Sequence, residues 1–266
     1  MKIAVLNSKG GVGKSTTLIQ VIAPFLWSIN GKNEAVNVVE FDDENEDSLT
    51  FENSEIINAK RIKISGNDIS SIITEITLDN EQLLLDIGGN KTTTYLMEAL
   101  EESGMINAFD LVVIPMTDGE QDAINAINVY AKIRSLNKDI KIVFALGRVD
   151  INMDLEMQFL DFFGDKKGRI DDRKGLIEKV KKSDRNIITI NNSEVIKYSR
   201  AFGITAYEMC EKNIDELKEE LKESLKSKDN EKSKKLSYKL TILNKANSYK
   251  NDVLIPAFKV LEKVMV

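Results

Sequence analysis

The sequence predicts an α/β fold, a doubly wound and mostly parallel sheet with a helical C-terminal region. Short apolar, β-rich runs recur at residues 2–6, 35–41, 82–87, 110–115, 140–146 and 186–190, with helical patterns between them. Several are nearly continuous, such as Leu83-Leu84-Leu85 and Leu111-Val112-Val113-Ile114. Parallel strands covered on both faces read this way. Strands that alternate with helices also imply crossover connections and therefore a parallel sheet. A chain of 266 residues, 42% hydrophobic and 30% charged, can bury the core such a fold needs.

The first strand, at Ile3-Ala4-Val5-Leu6, leads through a short loop into a helix expected from about Ser15 to Ile29. Leu18, Ile19, Ile22, Phe25, Leu26 and Ile29 give that helix a broad apolar face, and Pro24 inside it predicts a kink. An extra strand is expected over 59–64, and a helix over 67–77. The composition shifts near Cys210. Residues 211–250 lack Gly and Pro and are rich in Lys, Glu, Asn and Ser. Ile214, Leu217, Leu221 and Leu225 line one helical face, and Leu236, Leu240 and Leu243 line another. The 227–233 stretch between them reads as a turn or a frayed connection. The expected organisation is one domain over 1–210, with a helical extension over 211–266 packed on it.

The chain has no histidine, so Ser-His-Asp and Cys-His nucleophile systems and His-ligated zinc or haem sites cannot be built. Its single cysteine forbids an internal disulfide and suits a reducing cytoplasm, with Cys210 read as a small buried hydrophobe. Lys9 and Lys14 interrupt the N-terminal stretch, which therefore does not read as a signal peptide. No run approaches the roughly 20 apolar residues of a membrane span. Phosphoryl transfer survives these exclusions, because it relies on Lys, Mg2+, backbone N–H groups and carboxylates.

Residues 9–16 carry that chemistry. They read Lys-Gly-Gly-Val-Gly-Lys-Ser-Thr, directly behind the first strand and ahead of the first helix. Gly10 to Gly13 match the phosphate-cradling loop, whose glycines let the backbone turn and aim N–H groups at phosphate oxygens. The helix N-terminus adds free N–H groups and a positive dipole end. The candidate nucleotide-binding residues are Gly10, Gly11, Val12, Gly13, Lys14, Ser15 and Thr16. Lys14 would reach the β- and γ-phosphates, and the Ser15 hydroxyl would ligate Mg2+. Asp86, at the tip of the 82–87 strand, is the second candidate metal residue, acting through water.

With Lys9 ahead of the first glycine, the loop has the deviant Walker A form. The chain thereby resembles the ParA/MinD family of ATPases, which includes plasmid and chromosome partition proteins and cell-division positioning proteins. The resemblance covers roughly residues 1–150, continues more weakly through 196–203, and implies a fold of the P-loop NTPase type. It implies a Mg2+-dependent ATP hydrolase that forms a homodimer around ATP, with Lys9 crossing the interface to the partner's nucleotide. By register, Asp42 stands where the family places the carboxylate near the attacking water, so Lys9, Lys14 and Asp42 are the candidate catalytic residues. Three positions depart from the family pattern: Glu40 replaces an Asp, Ile87 follows Asp86 where proline is usual, and Gly147 replaces an Asn near the base.

The net charge of −6 argues against a uniformly basic surface, yet residues 226–250 hold eight lysines against two acids. The family resemblance implies nonspecific DNA binding by the ATP dimer and a ParB-like partner protein. It also implies a cytoplasmic, nucleoid-associated location. Lys232, Lys234 and Lys235 are the candidate DNA contacts; the same charge also reads as a solvated helix face. MinD-like relatives end in a membrane-binding helix, which leaves a membrane- or partner-recruiting role open. A non-hydrolysing nucleotide-binding module is a further alternative. The 256–266 segment carries only Lys259 and Lys263 as cations, so packing on the domain is its expected fate.

Overall fold

The computed structural model describes residues 1–41, 48–63, 68–87, 91–165, 167–170 and 172–265. Seven strands form one sheet: β1 Lys2–Val5, β2 Val36–Phe41, β3 Ile57–Ile62, β4 Leu83–Ile87, β5 Leu111–Met116, β6 Lys141–Val149 and β7 Ile187–Asn191. Their spatial order is β3-β2-β4-β1-β5-β6-β7, and every neighbouring pair is parallel. The strand expected at 59–64 is β3, two residues earlier, and the helix after it runs Ile69–Asp79.

The apolar runs are continuous because the sheet divides the core into two layers. Successive strand side chains point to opposite faces. Ile3, Val5, Leu84, Leu111, Val113, Val143 and Ala145 enter one layer, with the first helix and the C-terminal helices. Ala4, Leu85, Val112, Ile114, Ile142, Phe144 and Leu146 enter the other, with the helices Lys91–Ser103 and Glu120–Leu136. β1 lies at the centre of the sheet, where connections diverge to either side. In open α/β sheets the crevice at that point, beyond the strands' C-terminal ends, is where ligands bind.

The first helix runs as three consecutive segments, α-helical Lys14–Thr17, π-helical Leu18–Ile22 and α-helical Ala23–Ile29. The expected kink takes the form of the π segment. Pro24 has no N–H for the carbonyl four residues back, and its ring crowds that carbonyl; widening the preceding turn relieves both. The C-terminal run repeats the device. Helix Asn230–Tyr249 passes through π-helical Lys250–Leu254 into Ile255–Met265, with Pro256 two residues beyond the π segment. The turn before this run is shorter than the expected 227–233. It occupies only 227–229, because Lys228 takes a positive φ of 59° and the Asp229 carboxylate caps the new helix by accepting from the Lys232 N–H.

Leu217, Leu236, Leu243, Ala246, Leu254 and Leu261 share one apolar cluster with β1 and the first helix. A buried polar clamp ties the same parts together. Gln20, inside the first π segment, donates from Nε2 to Ser199 Oγ and accepts the Ala206 N–H at Oε1, both at 2.8 Å. Replacing Gln20 with Ala strands the Ala206 N–H in the core, and a buried unmade hydrogen bond costs about 1–3 kcal/mol. Urea denaturation of Gln20→Ala is expected to show a loss of that size with an unchanged m-value; a loss under about 0.5 kcal/mol would mean the clamp is not holding the layer.

Candidate functional site

The loop from Leu6 to Gly13 leaves β1 between β4 and β5, with Val5 in register with Asp86 on one side and Val113 on the other. Asn7, fully buried, anchors it. Its amide donates to the Pro115 carbonyl at 2.7 Å, its side-chain oxygen accepts the Lys9 N–H at 2.9 Å, and its carbonyl accepts from Thr93 Oγ1 at 3.1 Å. Gly13 closes the loop with φ 88°, a left-handed conformation that costs an L-residue about 1–2 kcal/mol. A Cβ on Gly10, Gly11 or Gly13 would meet nothing within 4 Å, so the loop presents bare backbone to an open space.

The helix begins at Lys14, one residue before the expected start, and its first N–H groups face the same space. Lys14 is buried, and its ammonium donates to the Lys9 carbonyl at 2.8 Å, which holds it over the loop. Ser15 and Thr16, half-buried, follow in the first turn. Asp86 is buried at the C-terminal tip of β4, in register with Glu40 on β2, which is buried as well. The structure thus brings Gly10, Gly11, Val12, Gly13, Lys14, Ser15, Thr16 and Asp86 to one end of the sheet. Asp42 lies outside the described residues, as do the acidic residues after it and the glycines that follow Ile87.

A hydroxyl, a buried carboxylate and a concave run of backbone N–H groups are hard oxygen donors beside anion donors. That set suits Mg2+ bound together with phosphates, which takes few protein ligands. Among the described residues, no group of three or more His, Cys, Asp or Glu side chains forms a metal cage by itself.

The role expected of Lys9, across a dimer interface, is one a single chain does not display. Within the single chain its ammonium forms an ion pair with Asp122, which is buried at the start of helix Glu120–Leu136 and also accepts from Thr117 Oγ1. A carboxylate there is favoured by the helix dipole. Asn7, Thr117 and Asp122 were not found from sequence; only a lone Asn between an apolar strand and a glycine-rich loop hinted at the first. Arg148 was missed as well. It takes a φ of 58° at an irregularity in the β6–β7 register, and its guanidinium donates to the Gly11 carbonyl at 3.2 Å.

A cleft of about 170 Å3 runs from Val12, Gly13 and Thr16 to Thr117, Gly147 and Asn191. It adjoins a second, polar cavity of about 480 Å3 that reaches Lys245 and Asp252. Lys232, Lys234 and Lys235 are exposed on helix Asn230–Tyr249. Lys232 pairs with Glu220 at 3.2 Å and Lys235 with Glu231 at 2.7 Å; Lys245 and Lys250 pair with Glu194 and Glu211. Folding therefore brings Glu194, Glu211 and Glu220 against a segment that reads as strongly basic. Burial pushes the Cys210 thiol up to about 12, and its Sγ lies 3.0 Å from both the Ala206 and the Ala246 carbonyl oxygens, to either of which its one S–H can donate, so it is a structural residue.

The arrangement is a seven-stranded parallel α/β fold with a glycine-rich loop at the end of its central strand. No protein-family model matches the chain, and no curated protein matches its sequence. Among solved structures it is similar to apo McdA of Cyanothece, at 15% identity over 78% of this chain and 92% of that one, with a TM-score of 0.47. It is similar to the cell division ATPase MinD of Pyrococcus furiosus, at 12% identity over 93% and 98%, with a TM-score of 0.44. A plasmid partition protein of Borrelia burgdorferi is similar at 19% identity over 76% and 96%, with a TM-score of 0.41. These are likenesses of overall arrangement, and the functional reading rests on the chain's own residues.

Proposed function

We propose that the chain is a Mg2+-dependent ATPase of the ParA type, a nucleotide-timed switch in plasmid or chromosome partition that dimerises around ATP. The observation that carries this reading is the loop itself. Gly13 in the left-handed region opens the helix, Lys14 is held above the bare backbone, and the buried Asp86 stands on the adjoining strand. The loop N–H groups and the helix start bind the phosphate oxygens, and Lys14 turns from the Lys9 carbonyl to the β- and γ-oxygens. Ser15 and Asp86 hold Mg2+, Asp86 through water, and the bound ion neutralises phosphate charge. Asp42 is assigned to orienting the attacking water.

Lys9 acts in the dimer only by leaving Asp122. The Lys9 side chain is 41% exposed, so water replaces part of what its ammonium loses, while the buried Asp122 carboxylate keeps the Thr117 hydroxyl and the helix start as its remaining partners. A triphosphate carries more negative charge than one carboxylate and offers the stronger partner. Lys9→Ala is expected to bind ATP as a monomer but neither dimerise nor hydrolyse it. Light scattering and phosphate release measured with ATP and Mg2+ check this; a variant that dimerises and turns over like wild type would take Lys9 out of the mechanism.

Nonspecific DNA is the proposed partner surface of the ATP dimer, through Lys232, Lys234 and Lys235, with a ParB-like protein as the further partner. Ion pairs as exposed as Lys232–Glu220 and Lys235–Glu231 are worth little, so exchange for phosphates costs little. The alternative, recruitment of a membrane, is weakened by helix Ile255–Met265. Its Ala257 and Leu261 are buried against the core, and Phe258 meets Phe25 edge-on. Among the described residues no helix is long and apolar enough to cross a membrane. Changing Lys232, Lys234 and Lys235 to Glu should weaken all DNA sequences alike and spare DNA-independent hydrolysis. Wild-type affinity should fall by roughly 0.9 log units per phosphate contact for each tenfold rise in salt. Absence of a DNA shift by wild type with ATP at low salt would favour the partner-recruiting alternative.

A further inference from the structure

Both lysines of the glycine-rich loop are held inside the chain through one residue. The Lys9 N–H donates to Asn7 Oδ1 at 2.9 Å, its carbonyl accepts from the Lys14 ammonium at 2.8 Å, and its own ammonium pairs with Asp122. The acceptor is built to stay. Asp122 is buried in the first turn of helix Glu120–Leu136, where the positive end of the helix dipole favours a carboxylate. Its Oδ1 takes Lys9 and its Oδ2 takes the Thr117 hydroxyl, so each oxygen has a partner. Thr117, also buried, directly follows β5, so the carboxylate is fixed to the sheet as well as to the helix.

The donor is built to leave. The Lys9 side chain is 41% exposed and carries its ammonium on a long flexible stem, whereas the Asp122 side chain is 5% exposed. A hydrogen bond between two charged groups holds more strongly than a neutral one, so release needs a competing anion. Nucleotide also reaches this contact from within the chain. Drawing Lys14 to the phosphates removes a donor from the Lys9 carbonyl, and with it one of the ties on that residue.

We propose that the Asp122 carboxylate, braced by Thr117, is an autoinhibitory latch that holds Lys9 within its own chain and sets how readily the ATP-bound chain dimerises. This rests on the ATP-dimer reading above and supplies its regulation. Lys9 cannot pair with Asp122 and with the partner's nucleotide at once, so the chain competent to dimerise is the unlatched fraction. Two copies must each release a lysine, so the latch enters the dimer dissociation constant twice. A hold of only about threefold per chain becomes about tenfold in the dimer.

The test uses Asp122→Asn, which keeps the shape and an acceptor for Thr117 while removing the charge. Sedimentation of the full chain with Mg2+ and AMPPNP, a non-hydrolysable ATP analogue, gives the dimer dissociation constant. The variant should dimerise about tenfold more tightly than wild type. Damage at a buried helix start would weaken assembly, so a gain separates the latch from a merely structural role. A second readout needs no variant: lysine acylation of nucleotide-free wild type, followed by mass spectrometry. Lys9 should react several-fold more slowly than Lys234, which is exposed and forms no ion pair among the described residues. A variant that dimerises no more tightly than wild type, or Lys9 acylated as fast as Lys234, overturns the latch and leaves the ATP-dimer reading standing. Wild type that stays monomeric with AMPPNP overturns that reading and the latch with it.

Discussion

The first-turn N–H groups of the first helix, which have no carbonyl within that helix to accept them, set what the rest of this chain must do. Backbone donors left without carbonyl partners in a partly buried place need an anion or water. The chain accepts this at the centre of its sheet. Asn7 pins the loop to the β5 side and to the 91–103 helix, Gly13 supplies the left-handed turn, and Arg148 ties the Gly11 carbonyl down. One of these devices uses a sparsely populated backbone conformation, the positive φ of the non-glycine Arg148. Such strain persists where the surroundings over-determine it, and it concentrates at functional sites.

Holding that end rigid requires the layer beneath it to be rigid too. The helix carrying Lys14 and Ser15 continues into the π segment around Gln20, whose amide reaches Ser199 and Ala206. Those residues belong to the last helices before residue 211, and the long C-terminal run packs over them and over β1. The C-terminal helices therefore support the loop end of the sheet through the shared core. Asn191 and Asn192 at the end of β7 line both cavities, so this region borders the supporting layer as well as the cleft beside the loop.

Much of this was legible in the sequence because it depends on local rules. Near-continuous apolar runs gave five of the six main strands within a residue, while β6 runs three residues past its expected end, and the glycine-rich run behind the first strand marked the loop between that strand and the first helix. Pro24 announced its irregular helix. What escaped was long-range. Asp122 meets Lys9 across 113 positions, and nothing in its own neighbourhood distinguishes it from a helix-capping acid. The basic stretch at 226–250 looked unopposed because Glu194, Glu211 and Glu220 reach it only in three dimensions. Lys228 and Asp229 ended one helix and began another within three residues, a turn that a Lys- and Ser-rich composition conceals.

The whole proposed function depends on the backbone between Gly10 and Thr16 being a nucleoside triphosphate site whose charge is met by Lys14. Isothermal titration of the full chain with ATP and Mg2+, run beside Lys14→Ala, tests this most directly. Saturable binding at one nucleotide per chain is expected, with a loss of about a hundredfold or more in the variant, the scale of breaking a buried charged contact. Equal affinity in the two proteins would contradict it, whatever the fold resembles.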